Sequence, residues 1–181
     1  RMKSLSVTVA TLAAVAAWGG AAAADKNWSG PAAADWPANG GGWSNARYST
    51  LDQINVGNVK SLGGAWMTDL DDEIAKGSPV VQDGTMYLAA GGGHVYALDI
   101  TTGKILWRFK PEGAGVDPRN RGLAVGGGNV FVGQADGSVI AIDAKKGAQV
   151  WSTYIGDGPA RFGMFVSAAS VYVHGLVIAG L

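Results

Sequence analysis

The 181-residue chain has no cysteine, which excludes both disulfides and thiolate metal sites. Histidine is nearly absent too. His94 and His174 are the only two, and each opens a strand-like run with no carboxylate spaced to share a metal. They are read as turn or edge residues. Neither sign of charge predominates, since 14 Lys and Arg balance 14 Asp and Glu. That balance provides no basic face and argues against nucleic acid as a partner. Proline is sparse at 6 residues, whereas glycine reaches 29. Without a collagen-like period, so much glycine points to many tight turns between short strands.

The N-terminus is organised differently from the rest. Met2-Lys3 is followed by the apolar run "LSVTVATLAAVAAW", too short to span a bilayer comfortably. "AAAAD" then offers small residues for cleavage, most simply after Ala24. Residues 1–24 are therefore read as a signal peptide and residues 25–181 as the exported part. The expected location is the periplasm. No transmembrane span is expected in the mature part, and no cysteine follows the apolar run to carry a lipid anchor.

The remainder is repetitive. "VYALDITTGKILW" begins at Val95 and "VIAIDAKKGAQVW" at Val139. Asp99 and Asp143, Gly103 and Gly147, and Trp107 and Trp151 are each 44 residues apart. The match extends upstream without a gap, from "DGTMYLAAGGGHVYALD" to "GGNVFVGQADGSVIAID". A third tryptophan, Trp66, lies 41 residues before Trp107, and "HGLVIAGL" starts where another unit is due. Each unit reads as short apolar strands joined by glycine turns, with Gly103 free to take a positive φ. A period in the forties with several strands per unit predicts a β-propeller of four-stranded blades. The tryptophans are expected to pack between blades and the aspartates to hold turns through local hydrogen bonds. The length after the signal allows only three or so blades, so the chain is read as the N-terminal part of a longer propeller.

The segment "DWPANGGGWSNARYSTLDQINVGNVKSLGGAW", Asp35 to Trp66, carries a W-x-x-x-G opening at Trp36–Gly40. An N-x-R-Y-S core at Asn45–Ser49 and L-x-x-I-N-x-x-N-V-x-x-L at Leu51–Leu62 follow. Together these resemble the N-terminal region of the pyrroloquinoline quinone (PQQ)-dependent alcohol dehydrogenases, the quinoprotein dehydrogenases. The stretch Ala97–Trp107 is similar to the tryptophan-docking motif of that family.

The resemblance implies an eight-bladed propeller holding PQQ near its axis, with Ca²⁺ or a lanthanide beside the quinone. It implies hydride transfer from an alcohol to the quinone and electron transfer to a cytochrome c or quinone acceptor. A haem c site further along the polypeptide is possible within the family. PQQ is a tricarboxylated ortho-quinone, so its site needs cations, hydroxyls and a metal.

Three residues are carried over as cofactor-binding. Arg121, in "NRGLAV", matches the family arginine at the quinone oxygens, a role suited to a guanidinium that keeps its proton. Ser167, in "FVSAASVYVHG", falls where the family has a Thr or Ser on a PQQ carboxylate. Lys76, in "AKGSPVV", stands where many members have Glu. Gly115-Val116 replaces an adjacent Cys pair found in many alcohol-oxidising members. The resemblance places the catalytic Asp and the metal ligands beyond Leu181, so no catalytic residue or metal ligand is assigned.

Other motifs carry less. "GGGHVY" and "GGGNVF" lack the Lys-Ser/Thr of a phosphate loop and open strands, so they are read as turns. "DLDDE", Asp69–Glu73, lacks the spacing of a Ca²⁺ loop and is read as a solvated acidic turn. Two alternatives to alcohol oxidation stay open: a sugar or polyol dehydrogenase, and a non-catalytic propeller of the outer-membrane assembly type. The second normally carries a lipobox Cys and lacks "NARYSTLDQINVGNV".

Overall fold

A computed structural model describes residues 26–71, 75, 77–112, 120–156 and 165–181. The expected leader, Lys76 and Gly115-Val116 lie outside the described residues.

Two four-stranded antiparallel sheets follow one another. The first contains β1 (Val80–Gln82), β2 (Thr85–Ala89), β3 (Val95–Asp99) and β4 (Ile105–Phe109). The second contains β5 (Leu123–Gly126), β6 (Asn129–Gly133), β7 (Ser138–Asp143) and β8 (Gln149–Tyr154). In both, the strands pair in chain order. A hairpin of β9 (Val171–Val173) and β10 (Leu176–Ile178) starts a third unit.

The first hairpin of each unit turns on two consecutive residues with positive φ. These are Asp83-Gly84 at 51° and 76°, Gly127-Gly128 at 55° and 78°, and His174-Gly175 at 46° and 81°. Two positive φ values give the turn a twist that matches the strands it joins. The equivalence corrects the expectation that both histidines open matching strands: His94 directly precedes β3, whereas His174 lies in the β9–β10 turn. The equivalent turn glycines Gly84, Gly128 and Gly175 place His174 opposite Asp83 of the first unit, not opposite His94.

The repeat is reproduced atom by atom in the next turn. Asp99 Oδ1 accepts the backbone N–H groups of Thr101 and Thr102 at 3.0 and 2.8 Å. Asp143 Oδ1 accepts those of Lys145 and Lys146 at 2.9 and 2.8 Å. A register shift recurs at Ala97/Leu98 and at Ala141/Ile142. An extra residue at that point turns Leu106 and Val150 outward, and both are exposed.

The sheets stack face to face. β3 is buried on both sides, with Val95 and Ala97 facing the second sheet and Tyr96 and Leu98 facing Leu70. The largest apolar cluster lies between the sheets and joins Val80, Tyr87 and Val95 to Leu123, Val130 and Ile142. A further cluster joins Phe131 and Ala141 to Tyr172 and Val177 of the hairpin.

The tryptophans lock these layers as expected, and each adds a hydrogen bond. Trp107 Nε1 donates to Ala144 O in the next sheet at 2.9 Å, while its ring lies over Gly147. Trp66 Nε1 donates to Ile100 O at 3.0 Å, with its ring over Gly103. Residues around Trp66 therefore dock on the first sheet as β4 docks on the second.

Candidate functional site

The first strands β1, β5 and β9 lie side by side, so the segments that lead into them meet at one end of the stack. There Gly77, Asn120–Gly122 and Val166–Ser167 converge. The approach is close: a Cβ on Gly77 would fall 2.9 Å from Arg121 C and 2.8 Å from Gly122 N. Gly122 itself has φ 147°, with Ala169 on its other side. Glycine at both positions lets three successive loops touch.

Two of the three residues carried over from the family meet in this cluster. Arg121 Nη1 donates to Ser167 Oγ at 3.0 Å, and Arg121 N donates to Ser167 O at 3.0 Å. They are 46 residues apart in sequence and belong to successive units. Arg121 is an exposed residue, and among the described residues Ser167 Oγ accepts from only one of the five N–H donors of the Arg121 guanidinium. The third, Lys76, adjoins Gly77 in the chain but is not among the described residues.

One further residue was not singled out in the sequence. Asn120 is buried, at 9% exposure. Its Nδ2 donates to Gly133 O at 3.0 Å, and its Oδ1 accepts Gly122 N at 2.9 Å. The available signal was an amide next to the arginine at the mouth of a strand. Its partner on β6 is not visible from that.

A guanidinium and a hydroxyl on an open face form a donor set that fits a ligand rich in carboxylate and quinone oxygens. Among the described residues, no group of three His, Asp or Glu side chains is placed to hold a metal ion. Asp69 and Asp71 are used locally. Asp69 Oδ1 accepts Asp71 N at 2.9 Å, and Asp71 Oδ2 lies 3.2 Å from Arg108 Nη1.

At the other end of the first strands, the N-terminal segment runs along the open edge of β1. Trp36 and Val81 exchange backbone hydrogen bonds of 2.8 and 2.9 Å. Trp43 Nε1 donates to Tyr172 O at 3.2 Å, and its ring lies 5.1 Å from that of His174. Trp36, from the W-x-x-x-G element, and Trp43, just after it, thus strap the first unit to the third.

Four-stranded sheets docked by tryptophan, with loops gathered at the ends of the first strands, define a segment of a β-propeller. Residues 36–153 match the family described as PQQ glucose/ethanol/alcohol dehydrogenase, β-propeller domain. The chain belongs to that family. It is 40% identical over 154 residues to quinohemoprotein alcohol dehydrogenase ADH IIB of Pseudomonas putida. That match covers 81% of this chain and 22% of the relative. Among solved structures, the quinohemoprotein alcohol dehydrogenase of Comamonas testosteroni superimposes with a TM-score of 0.73 at 38% identity. The superposition covers 81% of this chain and 23% of that one. A europium-containing methanol dehydrogenase gives 0.64 at 30% identity, over 80% and 27% of the two chains. The chain therefore spans about a fifth to a quarter of the length of these proteins.

Proposed function

We propose that this segment forms the first blades of a PQQ-dependent dehydrogenase that oxidises a primary alcohol. The observation that carries the reading is the joined pair of Arg121 and Ser167 at the mouths of β5 and β9. Arg121 would donate to the quinone oxygens, and its permanent charge favours the more anionic reduced form. Ser167 would orient that guanidinium and offer its hydroxyl to a cofactor carboxylate. Lys76, from the neighbouring loop, would contribute a second cation. PQQ, when bound, supplies the two-electron acceptor for the hydride of the alcohol.

Further parts of the reading draw on relatives and on the N-terminal sequence. A Ca²⁺ or lanthanide ion would act as Lewis acid beside the quinone, and the europium-containing relative favours this. Electrons would pass to a cytochrome c or quinone acceptor, with a haem c in the same polypeptide as one route. The two quinohemoprotein relatives favour that route. Residues 1–24 would direct export to the periplasm. Among the described residues, no helix is long and apolar enough to cross a membrane.

A sugar or polyol substrate is the second reading, favoured by the glucose dehydrogenases within the matching family and by the missing Cys pair at Gly115-Val116. The test is dye reduction by the complete gene product with Ca²⁺, with and without PQQ, given primary alcohols and then sugars. Reduction that needs both alcohol and PQQ supports the first reading, and reduction with sugars alone supports the second. No reduction with any substrate, together with no retained PQQ, overturns both.

A further inference from the structure

We infer that Asn120 is a positioning residue that aims Arg121 at its ligand. This rests on the proposed role of Arg121 in holding PQQ.

The argument begins with what fixes Arg121. A long side chain on a loop loses much rotamer freedom when a ligand immobilises it, so an arch held rigid beforehand binds better. Residues 120–122 form such an arch. Asn120 spans it from within, with Oδ1 on Gly122 N and Nδ2 on Gly133 O, the last residue of β6. From Gly133 the chain continues to Gln134, whose carbonyl accepts Val166 N at 3.0 Å. Next to Val166 is Ser167, which accepts Arg121 through both its carbonyl and its hydroxyl. Backbone then leads from Arg121 back to Asn120. The result is a closed circuit of hydrogen bonds and covalent links through the second sheet and the third-unit loop. Asn120 ties the arch to β6 through Gly133 O.

Two observations give Asn120 an indirect role. It is buried, and both ends of its amide already have partners. The void lined by Asn120, Gly133, Gln134 and Ser167 is about 10 Å³, room for about one water. That space is too small for a ligand of PQQ size, so such a ligand would meet the exposed Arg121 rather than the buried Asn120. Its removal would leave two buried backbone groups without partners and let the arch relax.

The test is PQQ binding by the full-length gene product, in the presence of Ca²⁺ and read by quenching of tryptophan emission. The proteins compared are the parent, Asn120→Ala, Arg121→Ala and the double variant, with melting curves to confirm folding. The expected result is a loss of affinity of about tenfold for Asn120→Ala, with little further loss when it is added to Arg121→Ala. Asn120→Asp keeps the acceptor for Gly122 N but loses the donor to Gly133 O, and should lie between parent and Ala. It also serves if the Ala variant does not fold. Equal losses from the Asn120 substitution with and without Arg121, or no loss at all while the parent binds PQQ, overturn the inference alone. A parent that binds no PQQ overturns the functional reading as well.

Discussion

Replacing Gly147 by alanine tests how much the tryptophan docking contributes. Gly147 and Gly128 both have positive φ, 68° and 78°. Alanine at either position therefore meets the same backbone penalty, about 1 kcal/mol. Their surroundings differ. A Cβ on Gly128 meets nothing within 4 Å. On Gly147 it would fall 2.7 Å from Trp107 Cδ2 and 2.8 Å from Cγ, so the indole must withdraw. Withdrawal weakens the Nε1 bond to Ala144 O, worth about 1 kcal/mol net. It also disturbs the packing between the sheets, at about 1–3 kcal/mol for an overpacked site. The expected losses are about 1 kcal/mol for Gly128→Ala and about 3–5 kcal/mol for Gly147→Ala. Urea unfolding of the full polypeptide measures both. Adding Trp107→Ala to Gly147→Ala should cost less than Trp107→Ala alone costs in the parent. Equal losses at the two glycines, or full additivity with Trp107→Ala, would refute the docking argument.

Other expectations follow from the same geometry. The Thr102 hydroxyl, then the Thr102 and Thr101 N–H groups, hold the Asp99 carboxyl below its ordinary pKa. A lowered folded value contributes stability that is present above the unfolded pKa near 4 and is lost as the pH falls through the folded value. Thr102→Val should shrink that acid-side loss in unfolding curves recorded from pH 6 to 2. Burial, chiefly, raises the Tyr87 phenol above its ordinary value, so its contribution is complete below about pH 10 and is lost at higher pH. Tyr87→Phe should flatten the alkaline limb of the stability profile. Lys26 pairs with Asp35 and Asp83 near the surface, and the Lys26 hydrogen bond lowers the Asp83 carboxyl. Asp83→Asn should nonetheless shift stability by less than about 1 kcal/mol, since exposed pairs contribute little; a larger loss in urea would contradict this.

The parts that were legible in the sequence share one property: each is set within a few residues. A Gly at the fourth position after Asp99 and after Asp143 permits the same turn, whose carboxylate binds the intervening amides, so a 44-residue repeat of those letters became a repeat of the same bonds. Short apolar-rich runs gave the strands, and glycine turns the links between them; the paired positive-φ residues of each first hairpin came from the structure. Arg121 and Ser167 were singled out through the family resemblance rather than through any local pattern, and the structure brings their side chains together.

What the sequence by itself determined is therefore the blade, its turns and its tryptophan. Only the tertiary structure decided that Arg121 meets Ser167, that Asn120 reaches Gly133, and that Trp36 and Trp43 strap the first unit to the third. It also separated His174 from His94: His174 takes the place in its turn that Asp83 has in the first unit, whereas His94 precedes β3. The physical reason is the same in each case. Contacts between units depend on how stacked sheets bring distant loops together, and a pattern of letters within one unit carries no record of its neighbour.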